Sequence, residues 1–334
     1  MSPSPRRRAT ITDVARAAGV AASTVSRSFT NPGRVNHRTR EHVLAVAEEL
    51  GYAPNPAAQA LESGRSNTVA LVVPDITNPY FSGVIKGAEH AARQAGLTLV
   101  LGDSQESAAQ EEQLVRRLGP AVDGFVLSAS RLPDDALRRA AELNPLVLVN
   151  RASTGIPAVV ADYEDGTRQI VEHLACLGHR SFAFLGGPPE SWSGARRWAG
   201  LSAAAAATGL SATRFGPFVP DQSAGPSAAD AVLAAGHTAV VAHNDMLAIG
   251  VLSRLADRGV DVPGDVSVVG FDDVFGADFC HPPLTTLAER TRDAGVRAIE
   301  SLTSLTPGHG PRDVPTRVLP TQLVVRRSTG PCRS

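Results

Sequence analysis

Cysteine is scarce in this chain. Of its 334 residues only Cys176, Cys280 and Cys332 are cysteines, far apart and with no CxxC pair. That spacing argues against a thiolate zinc site and implies a reducing compartment. Long apolar runs are missing too, and none reaches the ~18–20 residues of a membrane span. The stretch "SPSPRRRAT" begins like the charged region of a signal peptide, but no apolar run follows it. A cytoplasmic protein with no membrane partner is therefore expected. Nor is there a metal-spaced His pair, a GxxxxGK phosphate loop or a Ser-His-Asp order. The expectation is no enzyme, no metal and no cofactor.

What is present is an ordinary globular composition, 43% hydrophobic, over a length that suggests at least two units. Net charge is −1 overall but unevenly spread. Residues 1–66 hold nine arginines against five acids, net +4, and the remainder is −5. A basic head on an acidic body fits an anionic partner for the head alone.

The head carries "TDVARAAGVAASTVSRSFT", Thr12 to Thr30. Val14, Ala15 and Ala18, then Val25 and Phe29, recur at helical spacing, giving two short helices with one apolar stripe each. Gly19 ends the first as a left-handed cap, and Val20 is the apolar pivot between them. A third run, "HRTREHVLAVAEELGY", has Val43, Leu44, Ala47 and Leu50 as its buried face, Asn36 as N-cap and Gly51 as stop. Three short helices with a tight first turn describe a helix-turn-helix unit. Its second helix exposes Ser23, Thr24, Ser26 and Arg27, groups suited to phosphates and base edges. At the start of that helix Ala21 offers no side-chain acceptor. Either Ala21 holds the cap position bare, or Ser23 caps a helix that begins two residues later.

A connector follows, "GYAPNPAAQALESGRSN". Asn55 is a good N-cap, Pro56 fits the first helical position and Gly64 is a natural stop. The implied helix has two turns, too short to persist alone in water. From Asn67 the texture changes. Eight apolar runs, "TVALVVPDI", "TLVLGDS", "GFVLSAS", "LVLVN", "AVVAD", "SFAFLGG", "TAVVAHN" and "VSVVGFDD", alternate with helical stretches. This is the pattern of parallel sheets covered by helices. In such sheets ligands bind beyond the carboxyl ends of the strands. Asp, Asn, Ser and His cluster at those ends, as a polyhydroxylated ligand would require. The plain alternative for each such Asp is capping the next helix, and Asp245 and Asp273 are candidates for that role. His179 reads as a turn or packing residue.

The motifs "TITDVARAAGVAASTVSRSF", "VNHRTREHVLAVAEELGYAPNPAAQAL" and "TNPYFSGVIKGAEHAARQAG" resemble the lactose-repressor (LacI/GalR) family of bacterial transcription regulators. The resemblance runs on through "HLACLGHRSFAFLGG", "RRWAG", "HNDMLAIG", "VPGDVSVVGFDD" and "PPLTTL", covering nearly the whole chain in order. It implies an all-α helix-turn-helix head plus hinge helix, and an α/β periplasmic-binding-protein-like core of two Rossmann-like lobes. The implied domains are a head (1–53), a hinge (54–66) and an effector and dimerisation domain (67–334). Within the last, one lobe takes about 67–163 and 291–320, the other about 164–290 and 321–334.

By the same resemblance, contacts to palindromic operator DNA fall on Thr12, Ala22, Ser23, Thr24, Ser26, Arg27, Asn36 and Arg38 in the head. Asn55, Ala58 and Leu61 join them from the hinge, with Leu61 wedged between base pairs in the minor groove of a duplex gripped by a homodimer. Effector contacts fall on Tyr80, Phe81, Ser128, Asn150, Asp162, Ser193, Arg197, Asn244, Asp272 and Glu289. Tyr80 and Phe81 would stack on an apolar ring face, Arg197 would fork onto hydroxyls or a carboxylate, and Asp272 would be its partner. Trp192 is a further stacking candidate. A sugar effector is expected. A purine or a phosphoprotein co-repressor are the alternatives within the family, and a sugar-binding protein without DNA function is the alternative outside it. The tail "RRSTGPCRS" lacks the leucines of a tetramerising helix, so a dimer is expected.

Overall fold

The computed structural model describes residues 9–30, 32–53, 65–305 and 315–332, in two compact units that divide after Asn67. Among the described residues the first unit has three α-helices and a 3-10 turn, Pro32–Arg34. Helix α1 (Ile11–Ala18) opens on a reciprocal capping box, the Thr10 hydroxyl accepting from the Asp13 N–H and the Asp13 carboxylate from the Thr10 N–H. Gly19 closes it at φ +66°, a conformation that suits glycine. Helix α2 (Ala22–Thr30) follows, and α3 (His37–Glu49) starts where the Asn36 side chain accepts the Arg38 N–H. Val14, Val25, Val43 and Ala47 are buried at the centre. The spacing of the third helix also predicts a buried Leu50, and here the structure differs. Leu50 is 42% exposed. The helix ends at Glu49, Gly51 turns the chain at φ +62°, and Tyr52 folds back edge-on to Phe29 in its place. The hinge positions Asn55, Pro56, Ala58, Leu61 and Gly64 lie outside the described residues.

The second unit holds two six-stranded sheets. The first is built from β1 (Thr68–Val73), β2 (Thr98–Asp103), β3 (Phe125–Ser128), β4 (Leu146–Val149), β5 (Ala158–Ala161) and β11 (Arg317–Leu319), in the order β11-β5-β4-β3-β1-β2, all parallel. The second uses β6 (Ser181–Leu185), β7 (Ser211–Phe215), β8 (Ala239–Ala242), β9 (Ser267–Asp272), β10 (Thr285–Glu289) and β12 (Thr321–Val324). Its order is β12-β10-β9-β8-β6-β7, parallel except for β12 against β10.

Helices cover both faces of each sheet, as continuous Val/Leu strands demand. On the first sheet α4 (Tyr80–Gln94) and α11 (Thr291–Leu305) lie on one face, α5 (Ala108–Leu118) and α6 (Asp134–Leu143) on the other. On the second, α7 (Tyr163–Cys176) and α8 (Trp192–Thr208) oppose α9 (Gly225–Ala235) and α10 (Asp245–Asp257). Each fully buried Val, Leu or Phe in these layers contributes about 1.5–3 kcal/mol. Helices α4 and α11 touch backbone to backbone. A Cβ on Gly87 would stand 2.0 Å from the Arg292 carbonyl oxygen, and one on Gly295 would stand 2.1 Å from that of Val84.

The chain passes between the lobes three times, at Asp162, Arg290 and Pro320, and these passages are tied together. The Asp162 N–H donates to the Leu319 carbonyl, and the Thr321 hydroxyl donates to the Asp162 carbonyl. Glu289 pairs in register with Thr321, so the Arg290 passage lies beside the other two and the three together form the hinge between the lobes.

Candidate functional site

In the head, α2 begins at Ala22. The Ala21 carbonyl accepts from the Thr24 and Val25 N–H groups, so Ala21 holds the cap position with no side-chain acceptor. Of the two helix starts the sequence left open, this is the one found. Ala22, Ser23 and Arg27 are exposed on α2, Thr24 and Ser26 half-buried. Thr12, Asn36 and Arg38 are exposed at the starts of α1 and α3, the Asn36 side chain being used as a cap. The opposite side of α2 is held firmly. The buried Ser28 hydroxyl donates to the Thr24 carbonyl at 2.8 Å, and Arg40 Nε from α3 donates to the Ser28 carbonyl at 3.2 Å. The polar side of α2 is thus presented on a fixed support.

Between the lobes the centre is Arg197, 2% exposed. Its Nη2 donates to Asp272 and to Glu289, each at 2.8 Å, and Nη1 donates to the His243 carbonyl. The guanidinium lies between two rings, 4.5 Å from the Phe271 centroid and 5.2 Å from that of Tyr163. Burial opposes its charge, yet Tyr163, Asp272 and Glu289 hold its pKa well above the usual guanidinium value. Burial also pushes the Asp272 carboxyl well up, against the pull of Arg197. Tyr80, from the other lobe, donates its hydroxyl to Glu289 at 3.0 Å, and Tyr163 donates to Asn150 at 2.5 Å. Asp272 has φ +109° and Asn150 has φ +55°, conformations that side chains with a Cβ rarely hold. Such strain gathers where a geometry is imposed by the surroundings.

The structure therefore brings Tyr80, Asn150, Arg197, Asp272 and Glu289 into one hydrogen-bonded cluster. Ser128 sits one strand over from Asn150, since it pairs in register with Val149. Among the described residues, four buried side-chain atoms have no partner: Ser128 Oγ, Arg151 Nε, Arg197 Nε and His243 Nδ1. Buried polar atoms are almost always satisfied, so each asks for an explanation.

The other positions singled out in the sequence make the following contacts. Phe81 is buried in the core of the first lobe, edge-on to Tyr80 with centroids 5.0 Å apart, rather than in the Arg197 cluster. Asp162 caps α7, its side chain accepting the Asp165 N–H. Asn244 caps α10 and donates to the Pro220 carbonyl. Ser193 meets Ser191 at the start of α8, and Trp192 lies tilted 6.5 Å from Tyr163. Asp245 accepts from the Thr286 hydroxyl and the Val274 N–H, its pKa pushed up to about 7 by burial, and Asp273 pairs with Arg326 at 2.7 Å. His179 bridges Thr238 and Ser267 across the second lobe.

One member, Tyr163, was not anticipated, and His243 was expected only as one of the polar residues at the strand ends. Tyr163, the first residue of α7, joins Arg197 to Asn150. His243 is fully packed, and its charged form is strongly disfavoured by burial and then by Arg197, Arg131 and Arg214. His243 follows β8 directly, and Gly187 leaves room for its ring. A Cβ on Gly187 would come within 2.6–2.7 Å of the His243 ring.

A small helix-turn-helix head followed by a two-lobed core with buried polar groups at the strand ends defines a class of DNA-binding regulators. Comparison with known proteins makes this specific. Residues 10–55 match the bacterial regulatory proteins of the lacI family, and residues 171–329 match the periplasmic binding protein-like domain. The transcriptional repressor CytR of Escherichia coli K12 is 33% identical over 335 residues, covering 96% of each chain. The crystal structure of the lac repressor dimer bound to operator and the anti-inducer ONPF superposes with a TM-score of 0.85. It is 29% identical and covers 97% of this chain and 100% of that one. The complex of the regulator CelR with cellobiose gives 0.70 at 32% identity, covering 96% and 100%. The chain belongs to the lacI family: it is a DNA-binding transcriptional repressor, not an enzyme. Among the described residues no helix is long and apolar enough to cross a membrane.

Proposed function

We propose that this repressor acts in the cytoplasm as a homodimer on a near-palindromic operator beside carbohydrate-utilisation genes, and responds to a sugar held between its lobes. The observation that carries the sugar reading is the buried polar cluster around Arg197, with Ser128 Oγ, Arg197 Nε and His243 Nδ1 lacking partners. Carboxylates, amides and a guanidinium in one place suit the paired hydrogen bonds of vicinal hydroxyls. The cellobiose bound by CelR supports the same class. Ser23, Thr24, Ser26 and Arg27 of α2 would enter the major groove, with Arg38 on the backbone. Leu61 would act as the minor-groove wedge. An exposed edge-on pair, Phe275 and Phe279 at 84% and 62%, supports a subunit contact, because apolar clusters of this kind seldom face water without purpose.

In this reading Tyr80 and Asn150 close onto Glu289 and Tyr163 across the hinge, so the cluster reports the angle between the lobes. A sugar that competes for Arg197 and Glu289 shifts that angle, to the extent that it binds one lobe arrangement more tightly. The test is operator affinity, measured with a panel of pentoses, hexoses, disaccharides and purines. A sugar that changes operator affinity at least tenfold supports the reading, whichever the sign. A response confined to purines, or to a phosphoprotein, overturns the sugar assignment.

A further inference from the structure

The start of helix α8 carries charge that the Arg197 cluster does not use. Ser191 caps the helix, accepting the Gly194 N–H at 3.1 Å, while its carbonyl accepts that of Ala195. The N–H groups of Trp192 and Ser193 remain for another acceptor, at the positive end of a 17-residue helix. The His243 ring lies on this turn: a Cβ on Gly194 would stand 2.9 Å from its Cε1 and 3.2 Å from its Nδ1. That Nδ1 is buried without a partner. Next to it, Arg214 lies across Gly186, whose Cβ would come 2.8 Å from the Arg214 Nε. Arg196 places its guanidinium 5.2 Å from the Trp192 ring on the same turn.

The acids nearby are committed elsewhere. Asp272 and Glu289 hold Arg197, and Glu106 holds Arg131 at 2.7 Å. Arg196 and Arg214 have no carboxylate partner among the described residues. Burial, then the charges of Arg197, Arg131 and Arg214, keep the His243 ring neutral. Arg131 and Arg197 are balanced by Glu106, Asp272 and Glu289, so of these three guanidiniums Arg214 is the one left without a carboxylate among the described residues.

We propose that the effector carries an anionic substituent, a carboxylate or a phosphate, seated on the first turn of α8 between His243 and Arg214. The inference rests on reading the interlobe cluster as the effector site, and it narrows the ligand to an acidic or phosphorylated sugar. The Trp192 and Ser193 amides and the Arg214 fork would supply directed donors, and Arg196 would supply field.

The test is isothermal titration of the full chain with glucose and galactose, with their uronates and 6-phosphates, and with inorganic phosphate alone. Charge-assisted hydrogen bonds of this kind make the anionic forms at least about tenfold tighter than the neutral parents. Arg214→Ala brings that ratio below about threefold, and added salt lowers it in the wild type. Preference for uronate over phosphate, or the reverse, names which anion is meant. Equal binding of neutral and anionic hexoses overturns the seat and leaves the sugar reading standing. Silence from every hexose, with inorganic phosphate still binding through Arg214, keeps the seat and removes the sugar. Silence from all probes overturns the seat.

Discussion

Replacing Arg197 by Met keeps the apolar stem between Phe271 and Tyr163 but removes the charge that two carboxylates share. The Asp272 and Glu289 side chains are only 5% and 4% exposed, so neither can turn to water for compensation. Breaking a buried pair by deleting one partner costs about 3–5 kcal/mol. At about 2–4 °C per kcal/mol, the melting temperature falls by roughly 6–20 °C. The loss depends on pH with a definite sign. Burial already raises the Asp272 pKa, and Arg197 is the main group opposing that rise. Without Arg197 the folded-state pKa climbs further. A carboxyl with a raised folded pKa favours folding at low pH, and that advantage disappears as pH rises through the folded value. The deficit of Arg197→Met therefore widens from acidic towards neutral pH. Urea unfolding followed by circular dichroism at several pH values measures it. A deficit under about 1 kcal/mol that stays flat with pH would refute a desolvated Arg197–Asp272–Glu289 cluster.

Three further outcomes follow from single residues. Ala21→Ser supplies the missing acceptor at the start of α2 and stabilises that helix by about 0.5–2 kcal/mol; hydrogen exchange of the α2 amides should slow, and unchanged exchange would count against a bare cap. Gly87→Ala drives a methyl into the Arg292 carbonyl and separates α4 from α11, lowering the urea midpoint by an amount equivalent to at least about 1–3 kcal/mol; a neutral result would mean the two helices do not touch there. Burial lowers the His179 pKa, so its contribution to stability is complete above the unfolded value of about 6.5 and is lost as pH falls. The stability advantage of wild type over His179→Gln should therefore shrink below that pH, and a constant difference would show that His179 does not titrate with folding.

Local signals were legible where the backbone itself needed a particular residue. Gly19 and Asn36 announced the ends of α1 and α3 because a left-handed cap and a side-chain acceptor are chemical requirements. The eight apolar runs correspond to β1–β6, β8 and β9, mostly strands sealed on both faces. Strand β7, half exposed at a sheet edge, has no such run, and β10–β12 are short segments recruited by pairing partners distant in sequence. Arg197 and Asp272 could be paired from the resemblance, and they stand 2.8 Å apart. Tyr163 could not be assigned, because its role arises from a contact 34 residues away along the chain. Asp245 shows the converse: a strand-end carboxylate that looks like a ligand but holds a loop and a neighbouring strand.

The central claim is that α2 reads an operator under the control of the interlobe cluster. It is tested most directly by selecting genomic DNA fragments on the purified full chain at moderate salt, where phosphate contacts alone are weakened. Bound fragments are then eluted with acidic and neutral sugars. The account predicts a near-palindrome with a flexible central step, whose binding changes with one class of sugar. Sequence-blind binding that no sugar alters would contradict it.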